Sequence, residues 1–268
     1  MPKTVPDQAP EPPRLSWGKV SLPDNEPGLF SLGHLRLWLK FFDGDLWLCP
    51  VQAAETEAEI ALPAAPNWQR WTLGKRHGQL EIVPALPDLP LVINPEDPLH
   101  LPPGIECQIY VSIPLWVELQ IGKNSLLRVP TLQLSKTWFG NFVAGELCYA
   151  LTTRARRVAG RGAPDPWIVH CPITIHNGDD ENLDVEKVRL EVSRLSIYEY
   201  EQARWANQVR VHYRGQRHFS EIDIVNGPPS EVSRAKRIRK SRVAPHRSFT
   251  AKTFSSLADL AGLDFFNR

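Results

Sequence analysis

Residues 103–124 read PGIECQIYVSIPLWVELQIGKN, and the period of this stretch decides the fold. Pro103 and Gly104 fit the two central positions of a type II turn, because proline presets the first φ and glycine tolerates the positive second. Ile105, Cys107, Ile109, Val111 and Ile113 then alternate with Glu106, Gln108, Tyr110 and Ser112. A period of two sends one row of side chains to a core and the other to the opposite face, which is a half-buried strand. Beyond Pro114 the phase restarts with Leu115, Val117, Leu119 and Ile121, and Gly122 to Asn124 closes the run in a turn. Proline removes a ladder donor, so a change of phase there predicts a bulge or a strand passing from one sheet to another.

The same pattern recurs on both sides. Leu35, Leu37, Leu39 and Phe41 alternate with His34, Arg36, Trp38 and Lys40, and Asp43-Gly44 supplies the positive φ angles of a type I′ turn. Leu46 to Val51 is therefore expected to return as the second strand of a hairpin. Leu80, Ile82 and Leu91 to Ile93 read as short strands broken by prolines. Val169, Cys171, Ile173 and Ile175 oppose His170, Pro172, Thr174 and His176, and NGDDEN at Asn177 to Asn182 has the composition of an exposed turn. Val188, Leu190 and Val192 share one phase and Leu195 and Ile197 the other, which predicts a bulge near Ser193-Arg194; Val209, Val211 and Tyr213 follow as a further strand.

Proline numbers 25 of 268 residues, about 9%, against a usual level near 5%. Since each interior proline ends a helix, a mostly helical protein is excluded. The one helix predicted is short and terminal, with Ser256 and Asp259 as a capping pair, Leu257, Leu260 and Ala261 on one face and Gly262 limiting its length. The expected architecture is all-β: antiparallel β-sandwich units, two packed together, with a short C-terminal helix. Residues 1–15 are read as a disordered proline-rich tail and 16–130 as an N-terminal β domain. Residues 131–165 are a connector, 166–232 a C-terminal β-sandwich domain, and 233–268 a basic segment with the short helix.

Met1 to Arg14 contains no apolar run of signal-peptide type, and Leu35 to Val51 is interrupted by Arg36, Lys40, Asp43 and Asp45, so no bilayer span is expected. Cys49, Cys107, Cys148 and Cys171 match no short-spaced zinc pattern and are read as reduced, mostly buried thiols of a cytoplasmic protein. The net charge of +1 hides an asymmetry: residues 1–134 carry 10 basic and 15 acidic side chains, residues 135–268 carry 21 and 15. Any electrostatic partner surface is expected in the C-terminal half.

Catalytic signatures are weak. His170 and His176 share a predicted strand face, but six positions along a strand span about 20 Å, too far for one ion. Asp179, Asp180, Glu181 and Asp184 lack the full calcium-loop spacing and read as a solvated turn. No G-x-S-x-G, G-x-x-x-x-G-K-[ST] or G-x-G-x-x-G occurs, and Gly160-Arg161-Gly162 beside Arg154, Arg156 and Arg157 reads as a loop rather than an anion cradle. Nine tryptophans lie mostly in apolar segments, so strand packing outweighs a carbohydrate platform. No catalytic residue, metal ligand or cofactor is assigned.

The sharpest feature is Ser233 to Arg247, SRAKRIRKSRVAPHR, where Arg234, Lys236, Arg237, Arg239, Lys240, Arg242 and Arg247 are seven cations in fifteen residues. Such density suits phosphates of nucleic acid, anionic lipid headgroups or an acidic protein surface, and Ser241 lies where a phosphate would weaken it. The competing reading is a solvated basic loop. The absence of aromatics within the run argues against single-strand stacking. Leu257, Leu260, Phe265 and Phe266 form an apolar tail suited to anchoring a partner.

LPPGIECQIYVSIPL at Leu101 to Leu115, the VPT, TWFG and GELCYAL elements between Leu126 and Leu151, and PITIHNGDDENLDVEKVRLEVSRLSIY at Pro172 to Tyr198 resemble one family, domain of unknown function 432, over roughly residues 30 to 250. The resemblance implies a β-rich fold and no established activity, and it carries no functional residue over. Its bacterial members resembling this chain lie beside genes for small-conductance mechanosensitive channels, which implies an accessory subunit. The resulting expectation is a non-enzymatic cytoplasmic protein, peripheral at the inner face of the cell membrane, that docks on such a channel and shifts its gating. Two other classes stay open: nucleic-acid binding through residues 234–247, and a ligand or catalytic site assembled from distant strands.

Overall fold

Asp43 and Gly44 both adopt positive φ, 52° and 74°, as a type I′ turn requires, and the strands Leu35–Phe42 and Asp45–Gln52 pair in register from Leu35 opposite Gln52 to Phe42 opposite Asp45. The structure is a computed structural model that describes residues 12–53, 61–73, 79–140, 145–158, 165–215, 220–244, 248–251 and 253–255. Leu35, Leu37, Leu39, Leu46 and Leu48 of this hairpin are fully buried. Each contributes roughly 1.5–3 kcal/mol relative to an exposed side chain. The opposite face is not simply polar: Trp38 and Cys49 are buried with Leu29 beneath Val51, Leu62 and Trp68. Alternation of Leu with Arg, Trp and Lys predicted one covered face, and the tryptophan supplies the second.

The chain divides into two compact units. One comprises Met1–Val83 and Glu118–Thr131, the other Pro84–Val117 and Leu132–Arg268. The first contains the sheet built on the hairpin, with Gly28–Leu32 and Gln69–Thr72 on its edges. A second sheet there orders Gly18–Lys19, Leu80–Ala85, Trp116–Ile121 and Asn124–Pro130. The phase change at Pro114 is the point where the chain leaves one sheet for another. Glu106–Pro114 pairs along nine positions with Ile168–Asn177, whereas Trp116–Ile121 joins Leu80–Ala85. The turn before it is as expected, with Gly104 at φ 72° and the Ile105 N–H donating to Pro102 O at 3.2 Å.

The second unit holds, among the described residues, a two-stranded sheet of Leu99–Leu101 with Leu183–Val185 and two larger ones. One has Ser135–Phe139, Glu146–Ala150, Leu91–Ile93, Lys187–Leu190 and Phe254–Ser255, so the stretch read as a connector carries a hairpin. The other has eight strands centred on Ile168–Asn177. Ile173, Val209, Val211, Ile222 and Ile224 of the larger sheet line one small enclosed cavity together with Val188 and Leu190 of the smaller, so their apolar faces pack together as a sandwich. Three of the described pairings run parallel, including Ile168–Asn177 with Ala203–Ala206 and with Val209–Tyr213. Parallel neighbours need a long crossover, and residues 178–202 provide it. Within that crossover the expected bulge at Ser193-Arg194 is instead a 3-10 turn, Val192–Arg194. It is capped by Glu191, whose carboxylate accepts from the Ser193 N–H at 3.3 Å.

Asn207 divides the larger sheet into two branches. Below it Ile197–Tyr200 pairs with Ala203–Ala206; above it Ser220–Ile224 pairs with Val209–Tyr213. The two branches part, and the buried Asn207 amide holds both: its Oδ1 accepts from the Ser196 N–H at 2.7 Å, and its Nδ2 donates to Val225 O and Gly227 O, each at 3.0 Å. A buried gap in the ladder is thereby satisfied by one side chain. The predicted C-terminal helix, with Leu257, Leu260, Phe265 and Phe266, lies outside the described residues, as do Gly160 to Gly162.

Candidate functional site

Sequence reasoning placed the site on the basic run, and the fold splits that run in two. Lys236–Arg239 is a strand, KRIR, that pairs with Ile197–Tyr200 and ends the eight-stranded sheet among the described residues. Arg234, Lys236, Arg237 and Lys240 are exposed along this rim. Arg239 is half-buried. Arg242 turns inward instead, donating through Nη1 to Leu86 O at 2.6 Å and through Nη2 to Pro87 O. The backbone beside it is fixed by the Arg242 and Val243 N–H groups, which both donate to Ser193 O, at 2.9 and 3.0 Å. Arg242 therefore binds the chain to itself. Ser241 is half-buried and its N–H donates to Ser196 Oγ at 3.2 Å. Arg247 lies outside the described residues.

A second polar surface, absent from the sequence reading, covers the outer face of the same sheet. Strand register sets two rows across it. Glu106, His176, His212 and Glu221 form one, and Gln108, Thr174, Arg210 and Asp223 the other. An open groove of about 1110 Å³ is lined by His176, Arg210, His212, Glu221 and Asp223 of these rows and by Arg214, among others. Arg214 is ion-paired to Glu221, and the His176 and His212 rings stand 5.5 Å apart, centre to centre. His170, expected beside His176 as a solvent-facing imidazole, is half-buried against Trp205 at 5.2 Å. Burial lowers its pKa, with Asp165 opposing.

Farther along this face, Glu231 gathers three donors: Tyr110 Oη and Gln108 Nε2 at 2.7 Å each, and Ser230 Oγ at 3.1 Å. Partial burial opposes ionisation of Glu231, but the donors outweigh it and hold the carboxyl below its usual range. Burial together with Glu231 pushes the Tyr110 hydroxyl up to about 12. The four cysteines are free and buried, as expected. Burial raises each thiol, Cys148 to about 11. No nucleophile of low pKa emerges from them.

Asp179, Asp180, Glu181 and Asp184 sit on a loop organised from within. Buried Asn177 donates through Nδ2 to Leu101 O and Glu181 O, at 2.8 Å each, and accepts from the Asp179 N–H at 3.0 Å. Asp184 meets His100 at 2.6 Å. Among the described residues no group of three or more His, Cys, Asp or Glu side chains is placed to hold a metal ion. No helix among them is long and apolar enough to cross a membrane.

A family model described as protein of unknown function (DUF432) matches residues 16–259. The chain belongs to that family. Neither a curated protein nor a solved structure matches it. Membership agrees with the resemblance carried by the Leu101–Leu115 and Pro172–Tyr198 stretches, both inside the matched span, and it brings no assigned residue to either polar surface.

Proposed function

We propose that the protein is a non-catalytic binding protein that docks through its basic rim on an acidic surface of a membrane-protein partner. The observation that carries this reading is the Lys236–Arg239 strand, which ends the larger sheet with Arg234, Lys236, Arg237 and Lys240 turned to solvent. Four cations on one fixed edge present a charge pattern to a partner, whereas a flexible loop would have to be ordered first. The gene neighbourhood implied by the family resemblance supports a small-conductance mechanosensitive channel as that partner. By binding one channel state more tightly than the other, the protein shifts gating in proportion to that difference.

The test is affinity purification from gently solubilised membranes of the native host, comparing the wild-type chain with a variant carrying Arg234→Ala, Lys236→Ala, Arg237→Ala and Lys240→Ala. Recovery of the channel with the wild type, reduced by the quadruple substitution and by raised salt, is the expected result. Recovery of nuclease-sensitive nucleic acid instead would replace the reading with the nucleic-acid one. A channel held equally by both proteins would move the docking surface away from the rim.

A further inference from the structure

Ser135–Phe139 ends the five-stranded sheet among the described residues, as Lys236–Arg239 ends the larger one, yet the two strands are built differently. A terminal strand presents unpaired N–H and C=O groups, and proteins guard such edges with charge or with bulges. Lys236–Arg239 has both: exposed Lys236 and Arg237, and a register shift where it meets Ile197 and Tyr198. Ser135–Phe139 is barely guarded. Its pairing with Glu146–Ala150 runs unbroken from Ser135 opposite Ala150 to Phe139 opposite Glu146, and Lys136 is its one charge. Beside that charge stands an exposed apolar pair, since Trp138 lies opposite Leu147 and the two are 49% and 43% exposed. A regular, apolar, lightly charged edge is a template for another strand. We propose that Ser135–Phe139 pairs antiparallel with the same strand of a second copy of this chain, joining two five-stranded sheets across a twofold axis at Thr137.

The order of residues in the strand carries the choice of partner. A twofold axis normal to the sheet keeps each row of side chains on its own face, so opposed residues always belong to the same row. With the axis at Thr137, Lys136 of each copy stands opposite Trp138 of the other, on the face where both are exposed. The one charge of each strand is thus set against an indole, a cation–π arrangement that symmetry makes twice. On the other face Thr137 meets Thr137, a favourable cross-strand pair, and Ser135 meets Phe139.

Other registers are poorer. An axis at Lys136 opposes two ammonium groups directly, which destabilises a sheet. An axis at Trp138 places Lys136 opposite Gly140 and leaves Ser135 outside the paired strand. Only the axis at Thr137 pairs all five residues. The strand is therefore complementary to itself in charge and in register, which favours a second copy over a partner of another sequence.

The experiment is sedimentation equilibrium of the untagged full-length chain from about 1 to 100 μM, with circular dichroism and thermal midpoints confirming that each variant folds. A monomer–dimer equilibrium within that range is expected, as a small pairing surface gives. Trp138→Lys sets like charges opposite each other twice and is expected to weaken the dimer by about tenfold or more. Adding Lys136→Glu to Trp138→Lys sets opposite charges there and is expected to recover most of that loss. Ile105→Ser removes a side chain also 49% exposed but outside the strand, and is expected to leave the dimer unchanged. A wild-type chain that is monomeric at about 100 μM, a dimer that Trp138→Lys leaves intact, or a loss that Lys136→Glu deepens rather than repairs overturns the proposal. None of these measurements involves the basic rim or a membrane partner, so the pairing stands or falls apart from the docking reading.

Discussion

Asn207 and the Lys236–Arg239 rim belong to the same eight-stranded sheet and use polar side chains in opposite ways. Asn207 is buried and its partners are all internal: Ser196 N–H, Tyr198 Oη, Val225 O and Gly227 O. The rim cations Arg234, Lys236, Arg237 and Lys240 face water at the sheet's end. A polar group with internal partners specifies the structure, because losing it leaves those partners buried without a bond. A polar group facing solvent is free to specify something outside the chain. Charge density in the sequence does not distinguish the two uses, and Arg242 shows this within a single run.

Asn207→Ala is the most damaging way to break this contrast. It removes the partner of one donor and of three acceptors where the sheet forks, at about 1–3 kcal/mol for each group that water fails to reach, so a loss of about 3 kcal/mol is expected. Urea unfolding measures it. A loss below about 1 kcal/mol would mean that the branches hold without the amide. Arg242→Met comes next. The aliphatic stem is retained while the donors to Leu86 O and Pro87 O are lost, and about 2 kcal/mol is expected from charge-assisted bonds to carbonyls. If Arg242→Met is as neutral as the rim substitutions, the division of the basic run into an inward and an outward part is wrong.

Glu231 stands between these extremes, half open to water yet holding three donors. Its carboxyl is depressed in the folded chain, so its contribution is present above the ordinary carboxyl value of 4.5 and is lost as pH falls through the lower folded value. Glu231→Gln is expected to lower stability in the neutral region, with the difference from the wild type closing as pH falls below about 4.5, so that the acid limb of the profile flattens. Denaturant midpoints measured across that limb decide it. Parallel profiles for the two proteins would remove Glu231 from the account.

The parts of this fold that were legible depend on neighbours in sequence. The Asp43-Gly44 hairpin, the Pro103-Gly104 turn and the change of sheet at Pro114 each follow from φ preferences, missing donors and a period of two within a dozen residues. The fork was not legible, because an asparagine between Ala206 and Gln208 has no special meaning until Ser196 and Val225 are brought beside it. The facing of His176 and His212 depends on a parallel pairing whose register is fixed by packing across a long crossover, so the two histidines looked unrelated. The basic run was legible as charge alone. Which cations turn inward depends on where Leu86 and Pro87 lie, and no local pattern near Arg242 signals it.

The smallest expected effect on stability belongs to the rim, and it separates two uses of exposed charge. Cations on a terminal strand repel other strand edges and so keep a sheet from pairing with copies of itself. That role needs only charge and says nothing of a partner. The quadruple alanine variant is expected to unfold within about 0.5 kcal/mol of the wild type, since exposed substitutions away from networks rarely exceed this. If the rim is only a guard, the variant self-associates in light scattering, and replacing the same four residues by glutamate restores a monodisperse protein. If the rim is a docking surface, glutamate restores dispersity but not partner recovery, because the sign of the charge then matters as well as its presence. Scattering and recovery measured on the same glutamate variant therefore distinguish a strand that avoids partners from one that selects a partner.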